Sequence, residues 1–265
     1  MKAVAHATRR LLEILAIGAL LCGPAGSEEI PPAERRSGFE FMSPATQAMQ
    51  RDDTLNPGML WVLEGEALWG RKTGGANRSC ADCHGDAAES MRGVAARYPA
   101  YDDQDARAID LQDRINACRV RHQGAPPLGY ETPDLLALVV YVANQSRGMK
   151  IAPDSDERLA PFRENGRRLF NERVGQLNFS CAQCHDGLWG ERLGGSVIPQ
   201  AHPTGYPIYR LEWQGLGSLQ RRLRNCLTGV RAEPFAYGAQ EYIDLELYLM
   251  DRARGLAIET PAVRP

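Results

Sequence analysis

Two five-residue motifs constrain this chain of 265 residues more than any other feature of its sequence. Residues 80–84 read Cys-Ala-Asp-Cys-His and residues 181–185 read Cys-Ala-Gln-Cys-His. The Cys-x-x-Cys-His pattern is typical of covalent c-type haem attachment, in which two cysteines form thioethers with the porphyrin and the histidine binds the iron. A zinc site would need four ligands that converge from two half-sites, and a redox dithiol needs no histidine at the fifth position. The motifs therefore predict two haem c groups, with these residues as attachment cysteines and iron ligands: Cys80, Cys83, His84, Cys181, Cys184 and His185.

The N-terminal residues have the pattern of a secretory signal peptide. Three basic residues precede an uncharged apolar stretch at residues 14–22, and small residues follow at positions 25–27. This order of a basic, an apolar and a small-residue segment predicts a peptide that is removed after residue 27 and an exported, periplasmic protein. Cys22 then belongs to the removed peptide, which leaves six cysteines.

The composition excludes two broad classes of protein. The chain carries 31 Lys and Arg against 33 Asp and Glu, a formal net charge of −2, which disfavours a nucleic-acid binder. It contains no run of about 18 consecutive apolar residues, so we expect no membrane span in the mature protein.

The segments around the two motifs repeat. Gly65 and Trp69 precede the first motif as Gly166 and Phe170 precede the second, at a constant offset of 101 residues. A repeat at this scale is too long for a solenoid unit and predicts two copies of one domain.

Each half also ends in a pattern of apolar residues with helical spacing. Residues 133–146 and 240–252 carry this pattern, and each contains a tyrosine, Tyr141 and Tyr248 respectively. The segment 151–157 between the halves is polar and contains proline, which is typical of a linker. Three segments are predicted: a signal peptide at 1–27, an N-terminal extension with the first domain at 28–150, and the second domain at 151–265.

Each half resembles the class I cytochrome c domain, in which an N-terminal helix with a glycine and an aromatic residue crosses a C-terminal helix beside the haem. The resemblance covers nearly the whole mature chain, twice over. It implies a mainly α fold of two tandem cytochrome c-like domains, each around a covalently bound haem.

The second axial ligand decides whether a haem carries electrons or supports chemistry at an open or exchangeable position. No methionine lies between residues 186 and 247, and Met91 is too close to its motif to reach round the ring. The two remaining cysteines, Cys118 and Cys226, each follow an arginine by four residues, which places guanidinium and sulfur on one face of a helix. A cation favours the thiolate, which is the better iron ligand. We therefore expect Cys118 and Cys226 to be the distal ligands of the first and second haem.

Other arrangements of these residues stay open in the sequence. A disulfide between Cys118 and Cys226 would staple the two domains in an exported protein. His122 and His202 are rival iron ligands, although they occupy non-equivalent places in the two halves. Two further methionines, Met149 and Met250, fall in or after the terminal helices, where packing is their expected role.

Two haems with an Arg-x-x-x-Cys sequence beside each resemble the dihaem A subunit of the sulfur-oxidising (Sox) cytochromes. The resemblance implies an L-cysteine S-thiosulfotransferase that acts with a monohaem cytochrome, the X subunit. The enzyme joins thiosulfate to a cysteine of a sulfur-carrier protein, the YZ complex, and electrons pass on to a downstream cytochrome c. The resemblance also implies that the second haem is the active site, with Cys226 as a persulfide and Arg222 as the substrate-binding residue.

The chemistry of thiosulfate supports a role for Arg222 independently. A planar, permanently charged guanidinium matches the sulfonate oxygens of this dianion, and Cys226 lies one helical turn away. Arg221, Arg224 and Arg231 could add to the same field, but an exposed basic face is their expected role. Two other functions stay open: a thiosulfate dehydrogenase that forms tetrathionate, and a dihaem electron carrier without a substrate.

Overall fold

The structure is a computed structural model that describes residues 29–265, so the predicted signal peptide lies outside the described residues. Its helices are, in chain order, α1 (Pro44–Arg51), α2 (Gly58–Gly70), α3 (Ala81–His84), α4 (Ala87–Ser90), α5 (Leu111–Cys118), α6 (Pro133–Asn144), α7 (Ala160–Asn171), α8 (Cys181–His185), α9 (Leu219–Gly229) and α10 (Gln240–Arg252). Its strands are β1 (Ala100–Asp102), β2 (Arg107–Ile109), β3 (Arg192–Leu193), β4 (Ser196–Val197), β5 (Ile208–Arg210), β6 (Gly215–Gly217) and β7 (Ala262–Arg264). None of the described helices is long and apolar enough to cross a membrane.

Each half is organised by one crossing of two helices. In the first half α2 packs on α6, and a Cβ atom at Gly65 would lie only 2.1 Å from the carbonyl oxygen of Ala137. In the second half α7 packs on α10, and a Cβ atom at Gly166 would lie 2.0 Å from the carbonyl oxygen of Asp244. Only glycine permits such close approach of two backbones. The repeated glycines in the sequence are therefore contact points between helices.

The repeated aromatic residues fill the space beside these crossings. Trp69 is buried, with its ring centroid 5.7 Å from that of His84 and 5.9 Å from that of Tyr141. Phe170 is also buried and lies 5.5 Å from Tyr248. The aromatic residues thus connect the helix crossing to the haem motif in the first half and close the core in the second.

The N-terminal extension packs on the second half. The amide N–H of Arg36 donates to Gln200 Oε1 at 2.6 Å, and the amide of Val263 in β7 donates to Gln50 Oε1 of α1 at 3.1 Å. Strand β5 pairs antiparallel with β6 and parallel with β7, so the C-terminal residues complete a three-stranded sheet. The sequence-based division groups this extension with the first domain, which it also contacts, since Asp53 pairs with Arg147.

A buried carboxylate lies where the two halves meet. Asp110 caps the N-terminus of α5, since its side chain accepts from the amide of Asp113 at 2.8 Å. It also accepts from Gln112 Nε2 at 3.1 Å and, across the interface, from Gln220 Nε2 of α9 at 2.9 Å. Burial of this side chain, together with the nearby charge of Asp113, raises the pKa of Asp110 to about 6.

The helix crossing predicts an asymmetric response to two glycine substitutions in α2. Gly65→Ala forces a methyl group into the backbone of α6 and should lower the unfolding free energy by about 1–3 kcal/mol. Gly70→Ala in the same helix meets no atom within 4 Å. It should leave stability unchanged or raise it by up to about 1 kcal/mol. Denaturant unfolding of both variants measures the difference, and equal stabilities would contradict the crossing.

The buried carboxylate predicts a pH dependence of stability. Because the native state keeps the Asp110 proton after the unfolded state has lost it, the unfolding free energy should fall as pH rises from about 4 to about 6. Asp110→Asn retains the N-cap hydrogen bond but cannot lose a proton. It should therefore reduce the fall in unfolding free energy that is reached at pH 7 by on the order of 2–3 kcal/mol.

Denaturant unfolding at several pH values measures this effect. Asp86→Asn, at the N-cap of α4 on the surface, is the matched control and should keep the wild-type profile. An unchanged slope in the Asp110 variant would overturn the prediction.

Candidate functional site

Both haem motifs form short helices that begin at the same kind of cap. Ser79 N donates to Asp82 Oδ2 at 2.8 Å, and Asp82 N donates back to Ser79 Oγ at 3.0 Å. Ser180 and Gln183 exchange the equivalent bonds at 2.9 and 3.2 Å. This capping box fixes the first turn of each motif and thereby the direction of its two thiols. The Ser-x-x-Asp and Ser-x-x-Gln spacings are the sequence signals that predict such a cap.

The first site brings Cys118 to its own motif. Burial raises the pKa of Cys118, with a smaller upward effect from Cys83, and burial together with nearby Cys118 raises the pKa of Cys80. The charge of Arg114 acts in the opposite direction on Cys118 without outweighing burial. The arginine therefore favours the thiolate, as expected from the sequence, while burial acts against it.

The second site brings Cys226 to the other motif. Burial raises the pKa of Cys181 to about 12, and the charge of Cys226 contributes to the rise at both Cys181 and Cys184. The Nδ1 atom of His185 lies 2.6 Å from the carbonyl oxygen of Pro199 and must donate to it, which leaves Nε2 as the free metal-binding nitrogen. Burial lowers the pKa of His185 to about 4, so the imidazole is neutral.

The two unassigned cysteines do not pair with each other. None of the six described cysteines forms a disulfide, so the alternative of a bridge between Cys118 and Cys226 is not realised. His122 is exposed on a π-helical turn over Arg119–Gln123. His202 is buried, donates from Nδ1 to the carbonyl oxygen of Arg36 at 2.7 Å, and lies near His185. It is therefore a neighbour of the motif histidine.

Three methionines that could be iron ligands lie in packed surroundings. Met250 is buried with Ile151 and Ile258, and Met91 packs against the core of the first half. The thioether of Met149 lies against Gly93. The expectation that Met149 and Met250 are packing residues agrees with these contacts.

The donor set at each motif fits haem c. Two thiols one helical turn apart, a motif histidine and a further cysteine from another helix are the groups that attach and ligate this cofactor. Among residues 29–265, no three His, Cys, Asp or Glu side chains converge on one point as the ligands of a single bound ion do.

The two arginines that precede the unassigned cysteines have different surroundings. Arg114 Nε donates to the hydroxyl of Tyr98 at 2.9 Å, and its Nη1 lies 2.8 Å from Asp102 Oδ2. Arg222 has no carboxylate partner within 4 Å among the described residues, and the nearby charge of Cys226 is the main cause that raises its pKa.

The other basic residues of α9 are engaged with aromatic rings. Arg221 lies over Trp213 at 4.2 Å, and Arg224 lies over Tyr237 at 4.6 Å, each measured from the guanidinium carbon to the ring centroid. Arg231 is exposed beyond the end of the helix.

Comparison with known proteins identifies the architecture. A family model described as SoxA/TsdA, cytochrome c domain, matches residues 64–151 and again residues 165–258. Two relatives named L-cysteine S-thiosulfotransferase subunit SoxA come from Rhodovulum sulfidophilum and Pseudaminobacter salicylatoxidans. The first is 38% identical over 231 residues, which cover 87% of this chain and 80% of the relative. The second is 39% identical over 241 residues, which cover 91% and 84% respectively.

A solved structure has the same fold. A chain in the crystal structure of SoxXA from P. pantotrophus is 33% identical and superposes with a TM-score of 0.84, covering 87% of each chain. The tandem family match and this superposition confirm the prediction of two cytochrome c-like domains.

Proposed function

This chain belongs to the family of SoxA/TsdA cytochrome c domains, and we propose that it is the A subunit of an L-cysteine S-thiosulfotransferase, the activity for which its relatives are named. The observation that carries the proposal is the pair Arg222 and Cys226, in which a half-buried guanidinium without a carboxylate partner lies beside a cysteine that forms no disulfide. A cation in that state suits an anionic substrate.

Two haem c groups complete the protein. Cys80 and Cys83 would attach the first group, and His84 and Cys118 would bind its iron. Cys181 and Cys184 would attach the second group, and His185 and Cys226 would bind its iron. When bound, each haem supplies a one-electron acceptor. The carbonyl of Pro199 holds the ring of His185 in the tautomer that presents Nε2 to iron.

The reaction joins two reduced sulfur atoms. A carrier thiolate R–S⁻ and thiosulfate S–SO₃²⁻ give R–S–S–SO₃⁻ and two electrons, so one S–S bond forms and no proton is consumed. Arg222 binds and orients the sulfonate oxygens with its planar fork of donors. Cys226, carried as a persulfide, lies beside the bound anion, and its sulfur atoms do not enter this overall equation.

Two electrons require more than one acceptor. The partner is a second cytochrome, a monohaem X subunit, and the name SoxXA of the superposed structure supports such a complex. A downstream cytochrome c then receives the electrons. The carrier is the YZ complex, which meets the enzyme in the periplasm if residues 1–27 act as an export signal.

The central test replaces the proposed persulfide cysteine. Cys226→Ser should lower the rate of carrier-dependent thiosulfate conjugation by about 100-fold or more, because the residue touches the reacting sulfur. The mass gain of the carrier protein measures the rate. Peptide mapping of the wild type should find an extra mass of about 32 Da on Cys226 that a thiol reductant removes.

Two outcomes would contradict this function. Full activity of the Cys226 variant would remove the residue from the reaction. Tetrathionate formation from thiosulfate without any carrier would favour a thiosulfate dehydrogenase. Cys118→Ser is the matched substitution at the other haem, where a changed absorption spectrum would report ligation by that residue.

The number of haems is a separate prediction. The intact mass of the exported protein should include two haem groups, and the double variant Cys80→Ala/Cys83→Ala should retain one, as should Cys181→Ala/Cys184→Ala. Denaturing mass spectrometry counts the attached groups, since thioether bonds survive unfolding. Loss of both haems from either double variant, or a wild-type mass with one, would contradict the two-site assignment.

A further inference from the structure

The regions that carry the two unassigned cysteines repeat residue by residue. Three site residues recur at a constant offset of 108 residues: Tyr98 and Tyr206, Arg114 and Arg222, Cys118 and Cys226. The hairpins before these helices share the same register, because Asp102 pairs with Arg107 as Arg210 pairs with Gly215. Positions 102 and 210 are therefore structurally equivalent, and they carry opposite charges.

In the first half the equivalent position neutralises the arginine beside the cysteine. Asp102 is 2% exposed and accepts two hydrogen bonds from Arg121, at 2.9 and 3.0 Å. The same carboxylate lies 2.8 Å from Arg114. The positive charge of Arg114 is thereby compensated by a carboxylate of the protein itself. This carboxylate would repel an anion that approached Cys118.

In the second half the same position adds a positive charge. Arg210 is 9% exposed, and its Nε donates to the carbonyl oxygen of Pro265 at 2.9 Å. Its Nη2 lies 3.1 Å from Glu212, a largely exposed carboxylate. The residue equivalent to Arg121 is Gly229, so the acid and its second partner are both replaced.

The charge of the Arg222 guanidinium acts on that of Arg210. Burial lowers the pKa of Arg210, and the charge of Arg222 lowers it further. The opposing negative charges are those of Glu212, which is largely exposed, and of the Cys226 thiolate. Because like charges are costly to bury, an anion bound beside the two arginines would be favourable.

We propose that Arg210 and Arg222 together form the binding site for the thiosulfate dianion, and that Asp102 closes the equivalent position of the first half to anions. The identity of the anion rests on the proposed function. The charge inversion between positions 102 and 210 would then decide which of two similar haem sites accepts an anionic substrate.

The experiment uses the haem-loaded complex with its partner cytochrome and carrier. Arg210→Gln should raise the KM for thiosulfate about 10-fold to 100-fold, the effect of a lost charge-assisted contact, with the KM for the carrier unchanged. Arg210→Lys keeps the charge. The logarithm of its rise in KM should be less than half of that for Arg210→Gln. Arg210→Asp introduces the carboxylate of the first half and should raise the KM most.

The matched control is Arg224→Gln, which also removes one positive charge. Arg224 belongs to α9, and its guanidinium lies over Tyr237. It should keep the wild-type KM. Thermal melting and the haem absorption spectrum of each variant separate a binding defect from misfolding. A KM for Arg210→Gln within twofold of the control, in a folded protein, would overturn the two-arginine site.

Equilibrium dialysis with radiolabelled thiosulfate, in the absence of carrier, separates this proposal from the proposed function. One anion bound per wild-type chain and none per Arg210→Asp chain would support the site even if no carrier is conjugated. Two anions per wild-type chain would overturn the closure by Asp102. Equal binding by wild type and Arg210→Asp would overturn the role of Arg210.

Discussion

The contact between two helix backbones at a single glycine determines how each half of this protein is built. At Gly65 and at Gly166 the N-terminal helix of the domain lies against the carbonyl oxygens of the C-terminal helix, too close for any side chain. This crossing places an aromatic residue one turn later, at Trp69 or Phe170, in the core. The haem motif follows after a short loop, so its position depends on the crossing.

On this common frame the two halves differ in charge more than in shape. The same hairpin and the same helix carry a tyrosine, an arginine and a cysteine to each haem motif. In the first half the buried carboxylate of Asp102 compensates the charge of Arg114. In the second half Arg210 adds a second positive charge to that of Arg222. A change at one strand position can therefore separate a site for anion chemistry from one that lacks it, because electrostatic interactions are strong where water is excluded.

Much of the architecture could be predicted from local sequence patterns. The helical pattern at 240–252 matches α10, and the pattern at 133–146 matches α6 except for its last two residues. The hairpins β1–β2 and β5–β6 were not predicted, since strands of three residues leave too short a pattern to detect. The repeat is also hard to follow through the hairpins, because the offset between equivalent residues of the two halves is 101 at the haem motifs and 108 from Tyr98 and Tyr206 onward.

The sequence by itself determined the chemistry of the two attachment sites, because Cys-x-x-Cys-His confines all the required groups to one helical turn. It also indicated the tandem repeat and the pairing of each arginine with its cysteine, which are local along the chain. Only the tertiary structure decided which arginine is free. Asp102 and Arg114, or Arg210 and Arg222, are twelve residues apart, and their interaction depends on how a strand is folded against a helix. Likewise, only the fold joins the N-terminal extension to the C-terminal strand, through a hydrogen bond between Gln50 and Val263 that no sequence periodicity encodes.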